Sequence, residues 1–322
     1  VQVSGRITAV SAQHDGYPRN LSVKPGAAHD LDSQDYQMVR GQLAIDLTPQ
    51  SRLLLAAHLS WNDGPAATAT AGWQTPARYV TPPLGIPIGS ACDFSTAARF
   101  RARTVCHDGP DTARNDTQLY SATFEQTLPF AQFTSVTAYG KSKVKQQSDG
   151  DGSDLPLAIG SPWRLDSEQF SQEIRLASND EASPLKWVVG GIYFYGKNSQ
   201  DFGYRDLGFN DFGPTAPFDM FNFFSNGTSK TKSWAPFAQM DYDLAKTSVA
   251  IPLTLTVGVR YTHDKKYGSN ALDYQLPLVC GGSCGVTAGP FSKSWDQVTG
   301  KLGASYKFSD QTMAYASVSS EE

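Results

Sequence analysis

Four cysteines, Cys92, Cys106, Cys280 and Cys284, fall two by two in Gly- and Pro-containing stretches that carry no strand pattern. An even count confined to loop sequence suits an oxidising compartment and two local disulfides, with Cys92–Cys106 and Cys280–Cys284 the economical pairing. The competing reading of Cys280 to Cys284, a metal site, is weaker, because tetrahedral zinc takes four ligands and no histidine lies near. Gly281-Gly282-Ser283-Cys284-Gly285 spells a G-x-S-x-G nucleophile pattern, but that chemistry needs a strand, a sharp turn and a helix, and no helical pattern follows. His14, His29, His58, His107 and His263 show no ligand spacing and read as solvated or facing a water-filled interior. The acidic run from Asp149 to Asp154 lacks the spacing and terminal Glu of a calcium loop and reads as a polar hairpin tip. No catalytic group, metal set or cofactor motif emerges, so the expectation is a protein without enzymatic activity, metal or cofactor.

Binding is a better prospect than catalysis. Residues 200–229 concentrate Phe202, Tyr204, Phe209, Phe212, Phe218, Phe221, Phe223 and Phe224 in one loop-like stretch. Such density suits either an apolar or aromatic ligand or packing against neighbouring loops. Arg175 and Arg260 stand on the polar sides of alternating stretches. With Phe202, Tyr204, Phe209, Phe212 and Phe221 they are the candidate ligand contacts.

The elements that position these residues follow from composition and period. The 322 residues suffice for two ordinary domains or one large all-β unit, and 11% aromatic content gives enough apolar surface to order the chain. Lys+Arg (27) falls below Asp+Glu (31), which excludes the broad cationic footprint of a nucleic-acid binder. No apolar run is long enough for a helical membrane span, whereas membrane β-strands are apolar on one face only and leave mean hydropathy low.

Alternation with period two recurs along the chain. Leu253, Leu255, Val257, Val259 and Tyr261 share one face of a stretch whose other face is Thr254, Thr256, Gly258, Arg260 and Thr262. Similar stretches predict about eleven strands, at 1–11, 34–47, 52–62, 116–127, 131–146, 167–179, 184–199, 230–244, 253–267, 293–307 and 311–322. Connections alternate short and long, and in an up-and-down meander this puts all short turns on one rim and all long loops on the other. That is the geometry of an antiparallel transmembrane β-barrel. A soluble β-sandwich also alternates. It does not account for strands beyond the usual five or six residues, for the systematic loop asymmetry, or for apolar faces ending in Trp61, Tyr139, Tyr193, Tyr195, Trp234, Tyr242, Tyr261 and Tyr306.

Specific strings then add a family. Ser167-Glu168-Gln169-Phe170-Ser171-Gln172-Glu173-Ile174-Arg175-Leu176-Ala177-Ser178, followed by Trp187 and Gly190-Gly191-Ile192-Tyr193, resembles a barrel hairpin of TonB-dependent outer-membrane receptors. Phe133 to Tyr139, Leu255 to Thr262 and Tyr315 to Ser319 look similar in the same order. The resemblance implies a 22-stranded barrel, an N-terminal plug domain, and uptake of siderophores, cobalamin, sugars or other scarce nutrients energised by the TonB complex. The expected partners are outer-membrane lipid, a small nutrient ligand, and TonB through a plug absent from this chain; nucleic acid is not among them. The whole of 1–322 is expected to be a barrel segment of about half the strands, without plug or C-terminal strands, in a Gram-negative outer membrane. A plugless passive porin and a secreted soluble β-rich protein are the alternatives.

Overall fold

The computed structural model describes residues 1–21, 27, 29–64, 104–105, 107, 109–149, 159–160, 163–205, 222–276, 282–283 and 289–320. Eleven long strands follow in order: β1 (Gln2–His14), β2 (Gln34–Thr48), β3 (Ser51–Gly64), β4 (Thr112–Thr127), β5 (Ala131–Gln147), β6 (Trp163–Ser178), β7 (Leu185–Arg205), β8 (Asn222–Asp243), β9 (Leu253–Leu276), β10 (Phe291–Ser309) and β11 (Thr312–Ser319). Each pairs antiparallel with the next, so the sheet order is the sequence order. Among the described residues the one helical turn is the 3-10 segment Leu244–Lys246. The expected all-β, up-and-down architecture is the observed one.

Short connections gather at one rim, and local side chains fix them. Thr48 Oγ1 accepts from the Gln50 amide at 3.2 Å in the Pro49 turn. The Asp243 carboxylate accepts from the Ala245 amide at 3.0 Å. Asn179 Nδ2 donates to the Leu128 carbonyl at 2.7 Å, stitching two adjacent turns together.

The strands run past their expected ends on the side of the long connections. β7 reaches Arg205 instead of 199, β8 starts at Asn222 instead of 230, and β9 reaches Leu276 instead of 267. Phe202, expected in a loop, therefore pairs with Ser225 inside the β7–β8 hairpin, and Tyr204 pairs with Phe223. The apolar alternation ends where the side-chain environment changes, but the backbone ladder continues for as long as amides and carbonyls have partners in register.

The sheet is a single layer. Among the described residues only Ala27, Leu31, Val105, Ala131 and Ala235 are buried apolar residues, whereas Val257, Val259, Leu302 and Val298 are 44%, 51%, 57% and 65% exposed. All four of these lie on one face, because Val257 opposes Leu302 and Val259 opposes Gly300 between Val298 and Leu302 on β10. No second sheet packs against this face among the described residues, so the structure is not a sandwich. A contiguous apolar surface of this extent requires an apolar surrounding.

Close strand approach fixes two glycines differently. A Cβ on Gly268 would lie 1.9 Å from the Thr228 carbonyl oxygen, while one on Gly41 would meet nothing within 4 Å. Gly268→Ala is expected to cost about 1–3 kcal/mol by overpacking and Gly41→Ala close to nothing. The midpoint of unfolding, read from the heat-resistant folded band on electrophoresis, checks both.

Candidate functional site

On the polar face, register assembles one row across nine strands. Asp46, Arg52, Glu125, Thr134, Arg175, Gly190, Phe237, Arg260 and Thr299 are successive cross-strand partners. The two arginines picked from sequence thus share a row, three strand spacings or about 14 Å apart. Gly190 makes the segment between them possible: a Cβ there would lie 2.7 Å from Phe237 Cζ and 3.0 Å from Arg175 Cβ. Phe237 therefore lies over the glycine beside the Arg175 stem. Arg175 Nη1 is 3.5 Å from Glu173 Oε1, and Arg260 Nε donates to Thr262 Oγ1 at 3.1 Å. Neither contact neutralises the pair fully, because Arg175 is half exposed and Arg260 has no carboxylate partner among the described residues. Higher on the same face, Arg40, His58, Ser121, Gln169, Ser171 and Phe194 line a 480 Å³ depression.

On the apolar face, each of five adjacent strands ends its apolar run in an aromatic ring and continues with charge. The pairs are Tyr139 and Lys141, Phe170 and Glu168, Tyr195 and Lys197, and Trp234 and Lys232; on β9, Tyr261 is followed by His263 and Lys265. Trp234 packs against Tyr261 and His263, with ring centroids 5.2 and 5.8 Å apart. Beyond this boundary Lys141 Nζ lies 3.1 Å from Glu168 Oε1. Their hydrogen bond raises the lysine above its ordinary pKa and lowers the carboxyl below its own.

A sheet with one apolar face edged by rings, a polar opposite face, and all long connections on one rim is shared by a known set of proteins. The family model described as "TonB dependent receptor-like, beta-barrel" matches residues 25–320. The chain belongs to that family. Among solved structures it resembles the ferric yersiniabactin uptake receptor FyuA from Yersinia pestis, at TM-score 0.69 and 18% identity, covering 98% of this chain and 41% of that one. It also resembles the siderophore receptor PiuA from Acinetobacter baumannii, at TM-score 0.58 and 15% identity over 98% and 44% of the two chains. The ferric-catecholate import receptor Fiu from E. coli K12 aligns at 0.57 and 12% identity over 98% and 46%. The chain spans less than half the length of these structures. No curated protein sequence matches.

The structure divides this TonB-dependent receptor barrel's sequence-predicted contacts into two zones. Arg175 lies three residues from the short-turn end of β6, whereas Arg260 lies seven residues up β9, beside Tyr261. Phe202 follows Gly190 by twelve residues along β7, roughly 40 Å at an extended strand's rise. No single small ligand touches both zones at once. Tyr204 lies in the same β7 extension as Phe202. Phe209, Phe212, Phe221 and all four cysteines lie outside the described residues, as do Gly150 to Asp154 of the acidic run.

Two histidines differ from the sequence reading. His263 belongs to the apolar face, where its Nδ1 is 2.6 Å from Asp296 Oδ1, so it is not in the water-filled interior. His107 is not solvated: it and Asp111 are each 1% exposed, with His107 Nδ1 2.9 Å from Asp111 Oδ2. Around this pair the connections between long strands knot together. Asn20 Nδ2 donates to the His107 carbonyl at 2.9 Å, the His107 amide donates to Asn20 Oδ1 at 3.0 Å, and the Asp149 amide donates to Asp111 Oδ1 at 2.9 Å. Arg19–Asn20 and Thr104–Val105 add a short parallel ladder, with the Leu21 amide donating to the Val105 carbonyl at 2.9 Å. The available sequence signal was the Gly109-Pro110 turn, which brings Asp111 back to His107 with a positive φ of 23° at Asp111.

Asp111→Ala removes acceptors from a buried imidazole and a buried amide, a loss of about 1–3 kcal/mol. Amide exchange at Asp149 and Leu21 is expected to accelerate about 10-fold or more, while Val257 in the sheet stays as protected as before. Hydrogen–deuterium exchange by mass spectrometry checks the contrast.

Proposed function

We propose that this chain forms barrel wall of a Gram-negative outer-membrane receptor that takes up a scarce nutrient, an iron–siderophore complex, with energy delivered through TonB. Family membership supports the class of protein, and the likeness to FyuA, PiuA and Fiu, receptors for ferric yersiniabactin, a siderophore and ferric catecholates, supports iron chelates as the substrate class. The observation that carries the reading is the two-faced single-layer sheet: Val257, Val259, Val298 and Leu302 exposed on one side, the row containing Arg175 and Arg260 on the other.

In this account the apolar face meets hydrocarbon, where every backbone polar group must be paired within the sheet. The polar face lines the lumen, where charges stay hydrated. The connections tied by His107 and Asp111 stand at the outside rim and capture the ligand. Phe202, Tyr204, Phe209, Phe212 and Phe221 meet it there, and Arg260 and Arg175 meet it later, deeper in the lumen. A ferric chelate of anionic oxygens suits guanidinium groups, whose planar forks donate two hydrogen bonds at once. The 40 Å between the zones makes these contacts successive stages of one path, with no covalent chemistry at either.

Uptake of radiolabelled iron by cells lacking the parent gene tests the reading. Loss of uptake for one class of ferric siderophore, restored by the intact gene and abolished again when TonB is deleted, is the expected result. Arg175→Ala and Arg260→Ala in the full receptor are expected to lower uptake at limiting ligand about 10-fold each, the value of one charge-assisted contact of about 1.5 kcal/mol. Uptake that is unselective and indifferent to TonB would select a passive barrel instead.

A further inference from the structure

We propose that the lumen wall on β4 to β8 selects an uncharged ferric chelate, with carbonyl and amide groups on its exterior, over a polyanionic one. The proposal rests on the iron-uptake reading given above and narrows its substrate class. Toward the long connections, the spans concerned are Ala113 to Ser121 on β4, Ala138 to Gln146 on β5, Trp163 to Ser171 on β6, Phe194 to Phe202 on β7 and Ser225 to Ser233 on β8. Register aligns them, with Thr117, Ser142, Ser167, Asn198 and Ser229 as one row of successive partners. No residue on the polar side of these spans carries a charge. The uncharged panel is about 27 Å tall and about 19 Å wide, from four two-residue steps and four strand spacings. The same spans do carry charge on their other side, at Arg114, Asp116, Lys143, Lys145, Arg164 and Asp166, so the neutral wall does not follow from composition. On the lumen side charge returns at the margins: Arg40 on β2, Lys266 opposite Lys293 on β9 and β10, and Glu173 one row below.

The panel also holds unused hydrogen-bonding capacity. Asn115 Oδ1 accepts from Ser142 Oγ at 3.2 Å and from Thr117 Oγ1 at 3.4 Å, while its amide, like those of Asn198 and Gln200, has no partner among the described residues. Two shielded side-chain atoms lack a partner among the described residues as well. One is the Trp163 indole nitrogen, at the top of the panel, and the other is Asn62 Oδ1, on the adjoining strand where Asn62 opposes Asn115. Shielded polar atoms without partners are few in folded proteins, and these two lie within one row of each other in height. A polyanion brought against this wall gives up hydration and gains no counter-charge. A ferric trihydroxamate balances the iron with its own three anionic groups, so the complex is uncharged and presents carbonyls and amides outward. The indole and amide N–H groups donate to those carbonyls, and Asn62 Oδ1 and the Ser and Thr hydroxyls accept. Phe194, whose ring lies 3.1 Å from where a Cβ on Gly196 would stand, gives the lower panel a flat apolar surface. The hydroxamate oxygens remain acceptors for the guanidinium groups of Arg260 and Arg175 deeper in the lumen, so one ligand suits both stages.

The test is equilibrium dialysis of the full receptor, in non-ionic detergent, against radiolabelled iron chelates: ferrichrome and iron-loaded N-acetyl-desferrioxamine, both uncharged, and trianionic ferric enterobactin. Asn198→Lys puts a cation in the middle of the panel, and Ser199→Lys puts the same charge on the other side of the strand, opposite Asp166. Both are first checked for the heat-resistant folded band, and Gln200→Lys serves if Asn198→Lys does not fold. The parent is expected to bind at least one uncharged chelate about 10-fold or more tighter than the trianion, the worth of one or two neutral hydrogen bonds. Asn198→Lys is expected to narrow that gap about 10-fold, with Ser199→Lys like the parent. Equal or tighter binding of the trianion by the parent, or the same response to the two lysines, would overturn the proposal and leave iron uptake standing. Binding of none of the three chelates, together with no uptake of their iron by cells, would overturn the iron reading beneath it and the proposal with it.

Discussion

Register across the eleven strands is the constraint on which everything else in this protein depends. Each inner strand gives its amides and carbonyls to two neighbours, and side chains alternate strictly, so one residue of slippage would exchange the two faces along a whole strand. The partnerships observed are continuous over long spans, from Leu253 opposite Tyr306 to Gly268 opposite Phe291. Irregularities are confined to the short-turn rim, between Asp46 and Thr48 and between Lys307 and Ser309. Because register holds, residues distant in sequence such as Arg52, Arg175 and Arg260 fall into one row, and Val39, Val257 and Leu302 share the opposite surface.

This constraint also explains why so little of the chain is buried in the ordinary sense. A sandwich or a helical protein hides its apolar side chains against a second layer. Here the layer is single, and the large aliphatic residues remain uncovered by protein. The stability of such a sheet comes from paired backbone and from the surrounding that covers the apolar face. Buried polar contacts are found instead at the rim of long connections, where Asn20, His107, Asp111 and Asp149 hold each other in place of an apolar core.

The strands were legible in the sequence because a period of two needs no tertiary information: Leu253 to Thr262 declares its faces by itself. Their far ends were not, since beyond Ser199 and before Lys230 the polar and aromatic residues carry no alternation, and pairing there depends on partners supplied by the neighbouring strand. Arg175 and Arg260 could be placed on the polar face, but their common row required the register of β6 through β9. His107 was misread because its partner Asn20 lies 87 residues away, and only the nearby Asp111 left a local trace. His263 was misread for a different reason. A polar residue within an apolar alternation reads as a break in the pattern, yet here Asp296 and Trp234 receive it on the same face.

The assignment of the two faces to lipid and water is tested most directly by placing the same charge on each side of one strand. Thr256 faces the polar side, where its hydroxyl donates to Asp241 Oδ1 at 2.6 Å, and Val257 is its neighbour on the apolar side. The measurement is the amount of folded, heat-resistant receptor recovered from outer membranes for Val257→Arg and for Thr256→Arg. Strong depletion of Val257→Arg is expected, the consequence of about 2–4 kcal/mol for an arginine facing mid-membrane lipid, with near-normal recovery of Thr256→Arg beside Asp241. Equal recovery of the two variants, or the reverse order, would contradict that assignment.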